Sequence, residues 1–481
     1  MHLGDRSNDK LADMAFRRFR LPRLPAWRSW ALGTGILVGL GFATALYSYA
    51  ALIAVGIAGY ALLLARAGVW RTMVCTSIVV SLLRSGPTMA MFGESTWYVL
   101  QFAPVAIAIV ALLVQKPGAL RPQDRAFLTF LGLFAVAAVA TTATSIAPSS
   151  TLSQALLLCF MTVFLGLTFT RRWTDAASIR LDVELIFFLL VGVQAIGLVA
   201  SLTFGAWALD PDYGRFRGLF SNANYAGVMS AVAVSIGVYL LRDSLKRKVF
   251  VSLGIVVLVT TMLMSGSRGA LVAAAAGALV LFFSSAGRKI AIRTLGAGAL
   301  TVLFVVLIRP DVLGLIDKFF LRDPTVSNDI SSGRFGIYAD LLEQLARSPF
   351  TGTGYRTIEL LTETGGAAGH NIYLSVLTET GFLGFTVFLG LIVCVIAASR
   401  AEKRRRPLIG VVVTIAIVEL TESSLYGWGG PTALVFWILI VAFAAHGRVN
   451  VGELDPPSNR IRGVRSTHNV RHSPPRMAAL N

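Results

Sequence analysis

Four short stretches of this sequence hold the side chains best suited to chemistry. In Arg215-Phe216-Arg217-Gly218-Leu219-Phe220-Ser221-Asn222-Ala223-Asn224, two arginines, a glycine and two amides precede an apolar run that begins near residue 224. Guanidinium groups grip phosphate bidentately and a helix N-terminus adds free N–H groups, so the pattern suits an anion. It equally suits a solvated loop whose arginines meet lipid headgroups. Ser265-Gly266-Ser267-Arg268-Gly269 makes a tight turn between two apolar runs. An arginine with so little room needs an anion or backbone carbonyls beside it, which favours a functional role over a charged turn facing water. Ser332-Gly333-Arg334 opens an amphipathic stretch, and there Arg334, read alone, is an ordinary surface-helix residue. Gly369-His370-Asn371-Ile372-Tyr373-Leu374 stands at the mouth of another apolar run and continues to Glu379-Thr380-Gly381. The chain has five histidines, and His2, His446, His468 and His472 lie in or beside the terminal regions. His370 alone is set where it can take a proton from a hydroxyl near neutral pH, although a lone histidine at a membrane interface more often makes only a hydrogen bond.

Weaker patterns surround these four. Asp210-Pro211-Asp212 has the spacing of a metal-binding DxD, but no third ligand accompanies it and a surface turn is the better reading. No metal site is expected. Glu419 and Glu422 sit near the outer end of an apolar run, where an acid is costly and often couples protons or holds an arginine. The chain has no P-loop, GxGxxG, zinc-ligand spacing or Ser-His-Asp signature, so no nucleotide or other cofactor is expected. Cys75, Cys159 and Cys394 all fall inside apolar segments, which argues against disulfides and reads as small buried hydrophobes.

The elements that must position these residues are membrane spans. Of 481 residues, 55% are hydrophobic and only 14% charged. A soluble surface needs about a quarter charged residues. Apolar runs near 20 residues long recur from Trp30 to Ala445, and they are continuous rather than alternating. The expected fold is therefore an all-α polytopic transmembrane bundle, not a β-barrel. Spans are predicted near 30–47, 49–66, 71–84, 97–115, 126–146, 151–170, 183–204, 224–241, 249–265, 269–285, 294–308, 371–397, 408–424 and 431–446, about 12–14 in all. Residues 1–29 read as a basic cytoplasmic arm without a cleavage site, 30–446 as the transmembrane domain, and 447–481 as a disordered cytoplasmic tail.

The net charge of +18 comes from 43 Lys and Arg against 25 Asp and Glu. With both termini in the cytoplasm, all but ten of those basic residues fall in cytoplasmic pieces, as the positive-inside rule requires. This accounts for the charge without nucleic acid. The ten outer cations are Arg84, Arg215, Arg217, Arg268, Arg309, Lys318, Arg322, Arg334, Arg347 and Arg356. All but Arg84 lie between residues 215 and 356, so the second half of the chain concentrates positive charge where the rule disfavours it. The one large outer loop, 309–370, should hold a helix capped by Ser331 or Ser332 and ended by Pro349. Phe335, Tyr338, Leu341, Leu342 and Leu345 would form its apolar face. Gly352, Gly354, Gly365 and Gly366 read as a flexible stretch leading to His370.

Taken in order, these pieces resemble the O-antigen ligase and polymerase superfamily of bacterial membrane glycosyltransferases. Arg215 to Asn224 is similar to that family's R-x-x-G-x-F-x-N-x-N, and Ser267-Arg268-Gly269 to its S-R-G turn. Ser332-Gly333-Arg334, Ser348-Pro349, Gly352-x-Gly354 and His370-Asn371-x-Tyr373-Leu374 resemble its large periplasmic loop. Ala223 stands where many ligases carry proline. The resemblance spans roughly residues 200–400 and implies a multi-pass protein of the bacterial inner membrane with a periplasmic active site. It implies metal-independent, inverting transfer of a glycan from undecaprenyl diphosphate to an acceptor hydroxyl on lipid A–core or another glycan, in lipopolysaccharide or exopolysaccharide synthesis. Arg215 and Arg268 would hold the pyrophosphate, Arg217 and Arg334 would assist, and His370 would be the base. Ligase and repeat-unit polymerase share these motifs. Other polysaccharide-assembly proteins are conceivable partners.

Two readings of other classes compete: a polysaccharide flippase or transporter, and a scaffold without catalysis. A transporter commonly shows two similar halves and charge at mid-membrane. This chain has no internal repeat and gathers its arginines at the outer face, which favours the enzyme.

Overall fold

A computed structural model describes residues 67–85, 94–203, 208–210, 214–241, 245–283, 334–361, 369–400, 406–428 and 430–449, with the single positions 64 and 296. The arm, the tail beyond Val449, the predicted spans 30–47, 49–66 and 294–308, and the loop through Gly333 lie outside the described residues, as do Asp212, Gly365 and Gly366.

The described elements are helical, and no strand is formed among the described residues beyond one isolated bridge between Leu209 and Phe216. In chain order they are α1 (Val69–Ser85), α2 (Glu94–Leu113), α3 (Pro122–Ala140), α4 (Pro148–Leu167), α5 (Ala176–Thr203), α6 (Ala223–Leu240), α7 (Leu245–Met264), α8 (Arg268–Phe283), α9 (Arg334–Arg347), α10 (Ile358–Leu361), α11 (Ile372–Arg400), α12 (Arg406–Val418) and α13 (Pro431–Val449). Among the described residues, seven helices are long and apolar enough to cross a bilayer, and α8, α12 and α13 add shorter apolar stretches. The protein is a multi-pass membrane bundle, because helices this apolar on all sides have no other place to bury themselves.

α6 forms the centre of the half of the bundle that carries the site. From Ala226 to Val238 every residue is buried. Its small residues let neighbours approach closely: a Cβ at Gly227 would meet Ser265 and Ser267, and one at Gly237 would meet Ile255 and Phe187. Polar side chains tie the same helices together. Gln194 donates to the Ala226 carbonyl (2.9 Å) and to Ser230 (2.9 Å), and Ser235 and Thr414 share a hydrogen bond of 2.7 Å. In an apolar interior such bonds are satisfied only in the correct register.

Short connections make the helices alternate in direction, which sorts the charged residues to two ends. At one end Asp182 receives Arg71, Arg172 (3.1 Å) and the Trp173 indole (2.9 Å), while Arg247 pairs with Glu184 at 3.0 Å. At the other end lie the Arg215 stretch, the Ser265–Gly269 turn, Arg334 and the His370 stretch.

One expectation for the outer loop is corrected. α9 buries Ile337, Leu341 and Leu345, whereas Phe335 and Leu342 are 71% and 53% exposed. The true stripe follows i, i+4 and i+8, and it packs on Ile358 and Leu374. Gly352 and Gly354, the described part of the glycine stretch, are closely packed. Residues 349–355 are threaded into a break in α11, where Gly381 has φ 62°. Phe382 N–H donates to the Pro349 carbonyl (2.8 Å), and Thr353 and Gly354 N–H donate to the carbonyls of Thr378 (3.1 Å) and Glu379 (3.0 Å). The break lies about 14 Å along α11 from its start, at 1.5 Å per residue. The loop thus satisfies backbone groups that lipid would leave unpaired. Buried Glu379 completes the joint by accepting from the N–H groups of Arg356 (2.7 Å) and Ile358 (2.8 Å).

Candidate functional site

The Arg215 stretch lies against the turn between α7 and α8. Phe216 N–H donates to the Met264 carbonyl (3.0 Å), and Asp210 and Arg215 close a small hairpin through an N–H···O bond of 2.7 Å. The extended backbone turns Phe216 into the core, where it is 1% exposed. Alternation then puts Arg215 and Arg217 on the opposite face, both half-buried. Gly218 turns the chain with φ 57°, and Asn222 caps α6 by accepting from Tyr225 N–H (3.0 Å). Asp210 pairs with Arg215 (3.5 Å), while Pro211 and Asp212 of that pattern lie outside the described residues.

Asn224 links this stretch to the other side of the bundle end. Its amide oxygen accepts from Arg215 Nη1 (3.2 Å), and its amide nitrogen donates to Glu422 Oε1 (3.1 Å). An amide serves as acceptor to one neighbour and donor to the other, which a carboxylate in its place could not do. Asn224→Asp would set a second carboxylate against Glu422, so we expect it to lower the unfolding temperature more than Asn224→Gln does. Thermal unfolding measured on both variants checks this.

Glu422 is the hub. It follows α12 in the connection to α13 and is 6% exposed. Oε1 also accepts from Arg334 Nη2 at 2.9 Å, and Oε2 faces His370 Nδ1 at 3.3 Å. A carboxylate this buried is tolerated because a cation, an amide donor and the His370 ring surround it. The neighbouring Glu419 does different work. It accepts from the N–H of Leu425 (3.1 and 3.2 Å) and shapes the turn that presents Glu422.

His370 is held from both sides along the chain. Tyr338 donates to its carbonyl (3.0 Å), Ile372 N–H donates to the Glu419 carbonyl (2.9 Å), and Asn371 caps α11 through Leu374 N–H (3.1 Å). Burial raises the Tyr338 phenol above its usual range against the opposing pull of Arg334, so it remains a donor. His370 itself has φ 47°; besides Arg356, it is the only described non-glycine residue with positive φ. Such backbone strain concentrates where a side chain must be aimed.

Arg268 opens α8, and a Cβ on the adjacent Gly269 would meet Thr421, next to Glu422. Arg217 is anchored by its N–H to the Ala208 carbonyl (3.0 Å). Arg215, Arg334 and His370 are therefore joined through Asn224 and Glu422, while Arg268 and Arg217 lie beside that network at the same end of the bundle. Asn224 stood inside a motif and Glu422 stood out only as an acid near a span end; neither was a predicted site residue. This end of the bundle can hold a polyanion, and it presents one imidazole beside it.

Comparison with known proteins gives a matching result. No curated protein matches the chain. The O-antigen ligase family model matches residues 253–389, which include Arg268, Arg334 and His370 and exclude Arg215, Asn224 and Glu422. Over that segment the chain is similar to the O-antigen ligase family, and the match supports the resemblance to the O-antigen ligase and polymerase superfamily.

Proposed function

We infer that the protein is an O-antigen ligase-like membrane glycosyltransferase that moves a glycan from undecaprenyl diphosphate to an acceptor hydroxyl at the periplasmic face of the bacterial inner membrane. The observation that carries this is the gathering of Arg215, Arg334 and His370 around Asn224 and Glu422, with Arg268 and Arg217 alongside. In this reading the arginines bind the donor diphosphate. Their fixed charges stabilise the negative charge that builds on it as the anomeric C–O bond breaks, so no metal is required. His370 takes the proton of the acceptor hydroxyl, whose oxygen bonds to the anomeric carbon from the opposite face. Undecaprenyl diphosphate leaves, and configuration inverts. The exposed apolar flanks of the helices keep the polyprenyl tail in lipid while the diphosphate meets the bundle end.

Reconstitution tests the reading. Purified protein in nanodiscs receives an undecaprenyl-diphosphate glycan, a chelator, and either lipid A–core or a second donor as acceptor. Transfer to lipid A–core marks a ligase, and a ladder of lengthened glycans marks a polymerase. No transfer by folded protein, with unchanged lipid-linked glycan moving across vesicles, would replace the enzyme by a flippase.

A further inference from the structure

Glu422 offers its two oxygens to different tasks. Oε1 takes the Arg334 guanidinium and the Asn224 amide, whereas Oε2 faces the His370 ring. The ring has little choice of direction, because its backbone is fixed by Tyr338, by the Asn371 cap and by a left-handed φ. The charged and titratable groups around it are Glu422 from the α12–α13 connection and Arg334 and Tyr338 from α9. Arg215 stands behind Asn224, and Tyr225 stands on α6 within electrostatic reach of Glu422.

Resting on the glycosyltransferase reading, we propose that Glu422 is the positioning residue of the reaction: it holds His370 in the Nδ1–H tautomer, so that Nε2 presents its lone pair to the acceptor hydroxyl. A neutral imidazole carries one proton, and the carboxylate decides which nitrogen keeps it. The acceptor proton then moves to Nε2, the acceptor oxygen bonds to the anomeric carbon, and the glycan–diphosphate bond breaks. The imidazolium formed in this step lies against a carboxylate that needs no rearrangement to receive it. Arg334 shares that carboxylate, which ties the base to a residue of the diphosphate site.

Histidine labelled with nitrogen-15 in the ring gives a readout that a merely structural role would not move. With five histidines in the chain, the His370 signal is identified by its loss in His370→Ala. At a pH where the ring is neutral, wild type should show a protonated Nδ1 and a bare Nε2. Glu422→Ala should move the signal toward the Nε2–H tautomer, which water favours. An Nε2–H tautomer in wild type would overturn the proposal whether or not any variant folds. In transfer assays Glu422→Gln, which keeps the shape and loses the charge, should lower kcat by about 10- to 100-fold, part of what a general base contributes. The donor KM should change less than threefold, and Glu422→Asp should recover part of kcat. A raised donor KM with unchanged kcat would make Glu422 a donor-site residue instead. Failure of the underlying reading looks different: wild type would not transfer at all, or His370→Ala would transfer as wild type does. Wild-type kcat in Glu422→Gln, with transfer lost in His370→Ala, would defeat the present inference alone.

Discussion

Replacing His370 with asparagine or alanine is expected to lower the transfer rate by about 10²- to 10⁴-fold, the usual contribution of a positioned general base, while the protein stays folded. The side chain is 27% exposed and its ring faces Glu422 at 3.3 Å, so its removal empties little packed volume. Its backbone is the greater concern. At φ 47° the conformation costs any residue with an ordinary Cβ about 1–2 kcal/mol, a penalty that histidine already carries and that alanine carries at least as fully. Asparagine tolerates the left-handed region better and can still bond to Glu422, yet it cannot accept a proton at this pH. The two variants therefore separate strain from chemistry. Initial rates at saturating donor and acceptor, with thermal unfolding followed in parallel, make the measurement. Equal losses in both variants with unchanged unfolding support His370 as the base. Activity retained in the asparagine variant and lost in the alanine one would assign the effect to the backbone and end that assignment.

What the sequence discloses about this site depends on how far apart the cooperating residues lie. Arg215, Arg217 and Asn224 share one stretch, and their spacing alone announces an anion-binding loop before a helix. The role of Phe216 as the buried residue between two arginines is legible from alternation in the same way. Glu422 is not, because the carboxylate stands 52 positions from His370 and 198 from Asn224. Its meaning arises only when the α12–α13 connection is brought beside the mouth of α11. The amphipathic character of α9 is legible, but the choice of buried face is not. Phe335 and Leu342 are as apolar as Leu341, and only the position of Ile358 and Leu374 decides which stripe is covered. The all-α membrane class follows from composition, because no soluble surface can be made from so few charges. The break in α11 is invisible to composition for the same reason. Residues 371–397 read as one continuous apolar span, and the interruption at Gly381 is created by residues 349–355, which precede it by 26–32 positions.

That break yields the second large effect. Gly352→Ala and Gly381→Ala should each destabilise the protein by about 3 kcal/mol, from a left-handed backbone and a forced separation of close-packed chain. Gly352 has φ 71° and Gly381 φ 62°. A Cβ on Gly352 would run into the Glu379 carbonyl, and one on Gly381 would run into the Phe350 carbonyl. In both cases the obstacle is backbone, which cannot swing aside as a side chain can. The clash would also pull apart the bonds from Phe382, Thr353 and Gly354 across the joint, exposing backbone groups to lipid. Gly336→Ala makes the contrast. It lies on α9 with nothing within 4 Å of its added carbon, so the change should be neutral or should stabilise by up to about 1 kcal/mol. Thermal unfolding in nanodiscs ranks the three variants, and proteolysis within residues 349–358 reports whether the joint has opened. The effect should reach the chemistry as well, since the joint anchors both α9, which bonds to the His370 carbonyl, and the half of α11 that starts beside it. Wild-type stability in Gly352→Ala and Gly381→Ala would mean that the loop does not pass through the helix as described. Loss in those two with Gly336→Ala unaffected would locate the strength of this outer unit in a few backbone contacts rather than in the apolar face of α9.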